Sequence, residues 1–216
     1  MDDFTFYHIP RTSGKTFVSV TGISSVLHFP DSFSRVTPMA KAITVLRNPA
    51  DRHFAEWKNY GPTLLGDVGR IMCPEYVDAF AQAGIVDQDS FVACALTQNS
   101  QTKFLLGKPL YTTGEVTDVD LAPIFERIED GTLLPCVFEQ LPAAYMEVGE
   151  VFGRRILGGG GSFRARVREP SPIPASVNAV DQLLYDTVVA RYSAQVSAAH
   201  ATLLSWMAAN PAVAAW

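Results

Sequence analysis

The run Ala42-Ile43-Thr44-Val45-Leu46 constrains the chain more than any other stretch. It reads as a short buried strand, closed by Arg47-Asn48-Pro49. A proline at the first helical position suits the helix expected next, over residues 49–60. The same strand-then-helix rhythm recurs along the chain. Residues 4–9 read as a strand ending at Pro10, residues 26–29 as one stopped by Pro30-Asp31, and residues 134–138 as another. Helical patterns are expected at 15–20, 74–83, 90–106, 120–130 and 141–152. From Ala175 onward, Val177, Val180, Leu184, Val188 and Tyr192 fall three or four apart and predict one long helix. Strands alternating with helices predict an α/β fold with a parallel sheet. No repeat and no linker divides the chain, so residues 1–216 are expected to form a single domain.

Composition narrows the function classes. With 48% hydrophobic and 18% charged residues, the chain is globular rather than disordered. A net charge of -5 argues against a general nucleic-acid binder, yet leaves room for a local basic pocket around a small anion. Cys73, Cys94 and Cys136 are widely spaced and form no CxxC pair, so neither a zinc site nor a disulfide framework is expected. Met1-Asp2-Asp3-Phe4 opens no basic, apolar leader, and no apolar run reaches the ~18 residues of a membrane span. The expected location is cytoplasmic, with reduced thiols.

The candidate site begins at Arg11-Thr12-Ser13-Gly14-Lys15-Thr16. A strand that turns tightly into a helix presents free N–H groups and a positive helix end, and this turn adds two cations and three hydroxyls. The plain alternative is a basic surface turn with a capping Ser or Thr. Ser13 to Thr16 match the tail of a Walker A box, but that box needs glycine five residues before Gly14, where Ile9 stands. A magnesium-dependent NTPase also wants an acidic residue at the end of a neighbouring strand, and the 42–46 strand ends in Arg47. The loop therefore expects a ligand with two separate anionic groups and no required metal. A P-loop kinase or NTPase is the alternative reading.

"HIPRTSGKTF" resembles the opening loop of sulfotransferases that use 3'-phosphoadenosine 5'-phosphosulfate (PAPS), in the branch of the heparan sulfate 2-O- and 6-O-sulfotransferases and their bacterial relatives. "VLHFPDSF", "ITVLRNPADRHFAEW", "NSQTKFLLG", "CVFEQLPAAYMEVGEVFG" and "NAVDQLLYDTVVARY" are similar to further segments of that branch. The six run in family order from residue 4 to about 195.

The resemblance implies a P-loop-like three-layer fold, a central parallel sheet flanked by helices. It implies PAPS as cofactor, PAP as product, no metal, and a carbohydrate or other small acceptor. Arg11, Thr12, Ser13, Gly14, Lys15 and Thr16 would cradle the 5'-phosphosulfate, with Arg11 and Lys15 stabilising charge on the sulfonate and leaving oxygen. Arg47 would pair with the 3'-phosphate, for which a guanidinium is well shaped. Arg52 either shares that phosphate or pairs with Asp51 or Glu56 on a solvated face. His28 would be the general base. Four positions depart from the family pattern: Arg11 for lysine, Lys15 for a small residue, Asn48 for aspartate and Ala55 for a helix-borne serine. Arg11 and Ala55 keep open a PAP- or glycan-binding homologue without turnover. Gly158 to Gly161, followed by Arg164, Arg166 and Arg168, reads either as a flap over the nucleotide or as a surface loop. Glu139 would touch the acceptor or cap the next helix.

Overall fold

Among the described residues, four strands pair in parallel. The computed structural model describes residues 4–7, 9, 26–27, 41–64, 74–108, 115–141 and 171–209. The strands are β1 (Phe4–Tyr7), β2 (Val26–Leu27), β3 (Lys41–Leu46) and β4 (Leu133–Val137), in the spatial order β2-β1-β3-β4. Tyr7 lies opposite Thr44, and Leu46 opposite Val137. Residues 42 to 46 are all buried, so β3 is covered on both faces, as a near-continuous apolar run in a parallel sheet requires. Thr44, the polar residue in that run, donates its hydroxyl proton to the Tyr7 carbonyl at 2.9 Å.

The helices are α1 (Pro49–Leu64), α2 (Pro74–Gln82), α3 (Gln88–Ala93), α4 (Ser100–Leu105), α5 (Ala122–Glu129), α6 (Ala179–Arg191) and α7 (Ser193–Ala209). One sheet face contributes Tyr7, Ala42, Leu46, Leu133 and Val137 to the main core. Against it pack Phe104 and Leu105 of α4, Ile124 and Ile128 of α5, and Leu184 and Val188 of α6. A smaller core joins Phe80, Ile85 and Phe91 beneath Trp57 of α1.

Two helices expected to be continuous are broken. The 90–106 pattern divides into α3 and α4. The Thr97 hydroxyl donates to the carbonyls of Phe91 and Cys94, and the Gln98 amide to those of Val92 and Ala93. Side chains thus satisfy carbonyls that the next helical turn would have used. Asn99 then sits in the left-handed region at φ 52°, which ends any continuation. The helix expected from Ala175 onward begins as a 3-10 turn, Ala175–Asn178, continues as α6, and breaks at Tyr192, φ −112° and ψ 30°. The Tyr192 hydroxyl reaches back to Glu129 on α5 at 2.7 Å. The 120–130 pattern starts two residues earlier, as a 3-10 segment, Asp118–Leu121, feeding α5.

Candidate functional site

The sheet order creates a switch point. From β1 the chain passes to β2 on one side, then returns across β1 to β3 on the other. In open parallel sheets a ligand crevice forms outside the carboxyl ends of the two strands where the direction reverses, here β1 and β3. Two segments start at those ends. After β1, the Ile9 N–H folds back onto the Tyr7 carbonyl at 3.1 Å and closes the strand. Arg11, Thr12, Ser13, Gly14, Lys15, Thr16 and His28 lie outside the described residues, as do residues 142–170 with their glycine and arginine cluster. After β3 comes Arg47, which lies within the described residues.

Arg47 is 5% exposed and is fixed from several directions. Its main-chain N–H donates to Gln101 Oε1 at 2.9 Å, and its carbonyl accepts from Gln101 Nε2 at 2.9 Å. Its guanidinium carbon sits 4.8 Å from the centroid of the Phe138 ring, the residue just beyond β4. A cation held over a ring face keeps its charge while burying its plane. The next residue, Asn48, donates its N–H to Glu139 Oε1 at 2.9 Å, and Glu139 Oε2 accepts from the Tyr185 hydroxyl at 2.8 Å. Burial and the neighbouring Glu139 carboxylate push the Tyr185 phenol up, so it serves as a donor rather than a base. Asn48 Oδ1 accepts from the N–H groups of Ala50 and Asp51, so α1 has its own cap.

Behind this loop lies a second, largely buried polar network. Asp181 of α6 accepts from the N–H groups of Gln101 and Thr102, at 3.0 and 2.7 Å, and from the Thr102 hydroxyl. It therefore caps α4. In return, Asn99 Oδ1 accepts from the N–H groups of Val180 and Asp181 and caps α6. Asn178 Oδ1 accepts from Asn99 N–H, and Asn178 Nδ2 donates to His53 Nδ1 at 2.9 Å. That chain of bonds assigns His53 as neutral, with its proton on Nε2. Burial is the main cause holding its imidazole down at about 4. Asp181 is pushed up by burial, against which the Thr102 donors and the Arg52 charge act.

Arg52 belongs to this buried network. It is 1% exposed, and its Nη1 lies 2.8 Å from Glu56 Oε2 one turn along α1. The expected pairing with Glu56 is present, but inside the protein instead of on a solvated face. Lys103, also buried, donates to the carbonyls of Ala95 and Leu96. Among the described residues Glu139 holds the Arg47-Asn48 turn to α6; the helix it was expected to cap lies outside them. Of the residues expected at the site, the described region thus brings Arg47 to the sheet edge and commits Arg52 to the interior.

Gln101, Asp181, Asn178 and Tyr185 were not anticipated. Their signal was present in the segments "NSQTKFLLG" and "NAVDQLLYDTVVARY", where polar residues interrupt helical apolar stripes. Such interruptions mark either wet faces or buried caps, and only the packing tells which. Among the described residues, no group of three His, Cys, Asp or Glu side chains could hold a metal ion, and no helix is long and apolar enough to cross a membrane. Comparison with family models, with curated proteins and with solved structures returns no match.

Proposed function

We propose that the chain is a PAPS-dependent sulfotransferase that moves a sulfonate group from PAPS to a hydroxyl of a carbohydrate or other small acceptor. The observation that carries this reading is the strand order. Because β1 and β3 are neighbours with Tyr7 opposite Thr44, the segment holding Arg11 to Thr16 and the turn holding Arg47 issue from the same edge of the sheet. A ligand with one anion on each side of a nucleoside suits that pairing. The resemblance of six ordered segments supplies the identity of the ligand.

In this reading Thr12, Ser13, Gly14 and Thr16 cradle the 5'-phosphosulfate. Arg11 and Lys15 stabilise the charge that builds on the sulfonate and on the leaving oxygen. Arg47 takes the 3'-phosphate, far from the reacting sulfur, and so aligns the donor. His28 accepts the acceptor hydroxyl proton as the new S–O bond forms and the bond to the phosphate oxygen breaks, releasing PAP. Arg52 supports the fold behind Arg47.

A thermal-shift series with PAP, PAPS, AMP and ATP plus magnesium tests the ligand. PAP and PAPS are expected to raise the melting temperature well above either of the others. A larger shift with ATP and magnesium would replace this reading with a kinase or NTPase. His28→Ala is expected to keep the PAP shift and lose transfer; retained transfer removes His28 as the base.

A further inference from the structure

We infer that Gln101 is a positioning residue for Arg47, its side-chain amide holding the arginine so that the guanidinium meets the nucleotide's 3'-phosphate in one orientation. This rests on the nucleotide reading above. The geometry is two-pointed. Gln101 Oε1 accepts from Arg47 N–H and Gln101 Nε2 donates to Arg47 C=O, each at 2.9 Å. Both peptides that flank the arginine's Cα are thereby fixed, just where the ladder of β3 has ended. A carboxamide is suited to this because it carries a donor and an acceptor in one plane.

Three observations separate this from ordinary core packing. Gln101 is completely buried, where an apolar residue of similar volume would fill the space without the cost of desolvating an amide. Its bonds go to a residue 54 positions away, not to its own helix. Its own N–H is anchored on Asp181, itself held by Thr102, so the clamp is braced from behind. With Phe138 beneath the guanidinium and Glu139 holding Asn48, the arginine is ordered before a ligand arrives. Ordering in advance lowers the entropy lost on binding, and the benefit falls on the 3'-phosphate alone.

The test is calorimetric titration of the full chain with PAP and with AMP, which differ only in the 3'-phosphate. The proteins are wild type, Arg47→Ala, Gln101→Met and Gln101→Glu. Wild type is expected to prefer PAP, and Arg47→Ala to lose the preference. Gln101→Met, which fills the space without either bond, is expected to weaken PAP about tenfold while AMP changes less than about twofold. Gln101→Glu adds a signature that a packing role lacks. As a carboxylate it cannot donate to the Arg47 carbonyl; as a buried acid, with its pKa raised, it offers donor and acceptor again. Its PAP preference, relative to wild type at the same pH, should recover as pH falls from 8 towards 5. A folded Gln101→Met protein with wild-type preference overturns the assignment. If that variant does not fold, Gln101→Glu decides, and a preference that does not track protonation overturns it. Equal binding of PAP and AMP by wild type removes the nucleotide reading itself, and the clamp's purpose with it.

Discussion

Arg47 and Arg52 are five residues apart and chemically identical, yet the fold gives them different surroundings. Arg47 follows a strand end and stacks on Phe138; Arg52 lies on the inner face of α1, paired with Glu56. Substitutions should separate them. Losing a charge-assisted contact to phosphate at Arg47→Ala is expected to weaken PAP by roughly 10- to 100-fold, with little change in unfolding free energy. Arg47→Lys keeps the charge but not the planar, stacking fork, and should recover only a small part of the affinity. The calorimetry proposed for Gln101 measures both. Glu56→Gln should behave in the reverse sense. It leaves a buried guanidinium without its carboxylate, and is expected to cost about 3 kcal/mol in urea unfolding with no selective effect on PAP. Selective loss of PAP binding in Glu56→Gln would return Arg52 to the phosphate site.

At the scale of elements, the strands and the start of α1 were legible because each is a local pattern. An apolar run closed by Arg47-Asn48-Pro49 yields β3 followed by a capped helix, and that is what forms. The breaks at residues 94–99 and at Tyr192 were not legible, since apolar periodicity continues through both. Each is made by a side chain turning onto the backbone: Thr97 and Gln98 in the first, the distant Glu129 bond of Tyr192 beside the second. The candidate site follows the same division. Arg47 announced itself by its place at a strand end, while Gln101 and Asp181 become meaningful only when α4 and α6 meet. Their exchange of caps yields a paired test. Asn99→Gly removes the cap on α6 but suits the left-handed backbone; Asn99→Ala removes the cap and strains the backbone as well. Alanine is therefore expected to destabilise by roughly 1 kcal/mol more than glycine. Thermal or urea unfolding of the two variants measures the difference, and equal losses would mean that the backbone of Asn99 relaxes freely.

Taken as a whole molecule, the layer behind the sheet edge is a buried set of charges held near neutrality. Arg52 and Lys103 stand against Glu56 and Asp181, and His53 among them is neutral. A proton on His53 would add a third cation and set Nδ1–H against the Asn178 amide, whose oxygen is already committed to Asn99. The consequence for stability has a definite sign. Above pH 6.5, His53 is neutral in both the folded and the unfolded chain, and its contribution is fully present. As pH falls from 6.5 towards about 4, the unfolded chain binds the proton and the folded chain does not, so stability declines. Over the whole window the loss attributable to this group is about 3 kcal/mol. Asp181 acts in the opposite direction, because its carboxyl is pushed up by burial and is favoured in its protonated form as pH falls. The two are separated by His53→Gln, which can still accept from Asn178 but does not titrate. Urea unfolding of both proteins between pH 7.5 and 4 should give a steeper decline for wild type, with the difference growing only below pH 6.5. Parallel curves would mean that His53 takes up its proton within the fold, and that the charges around it rearrange to receive it.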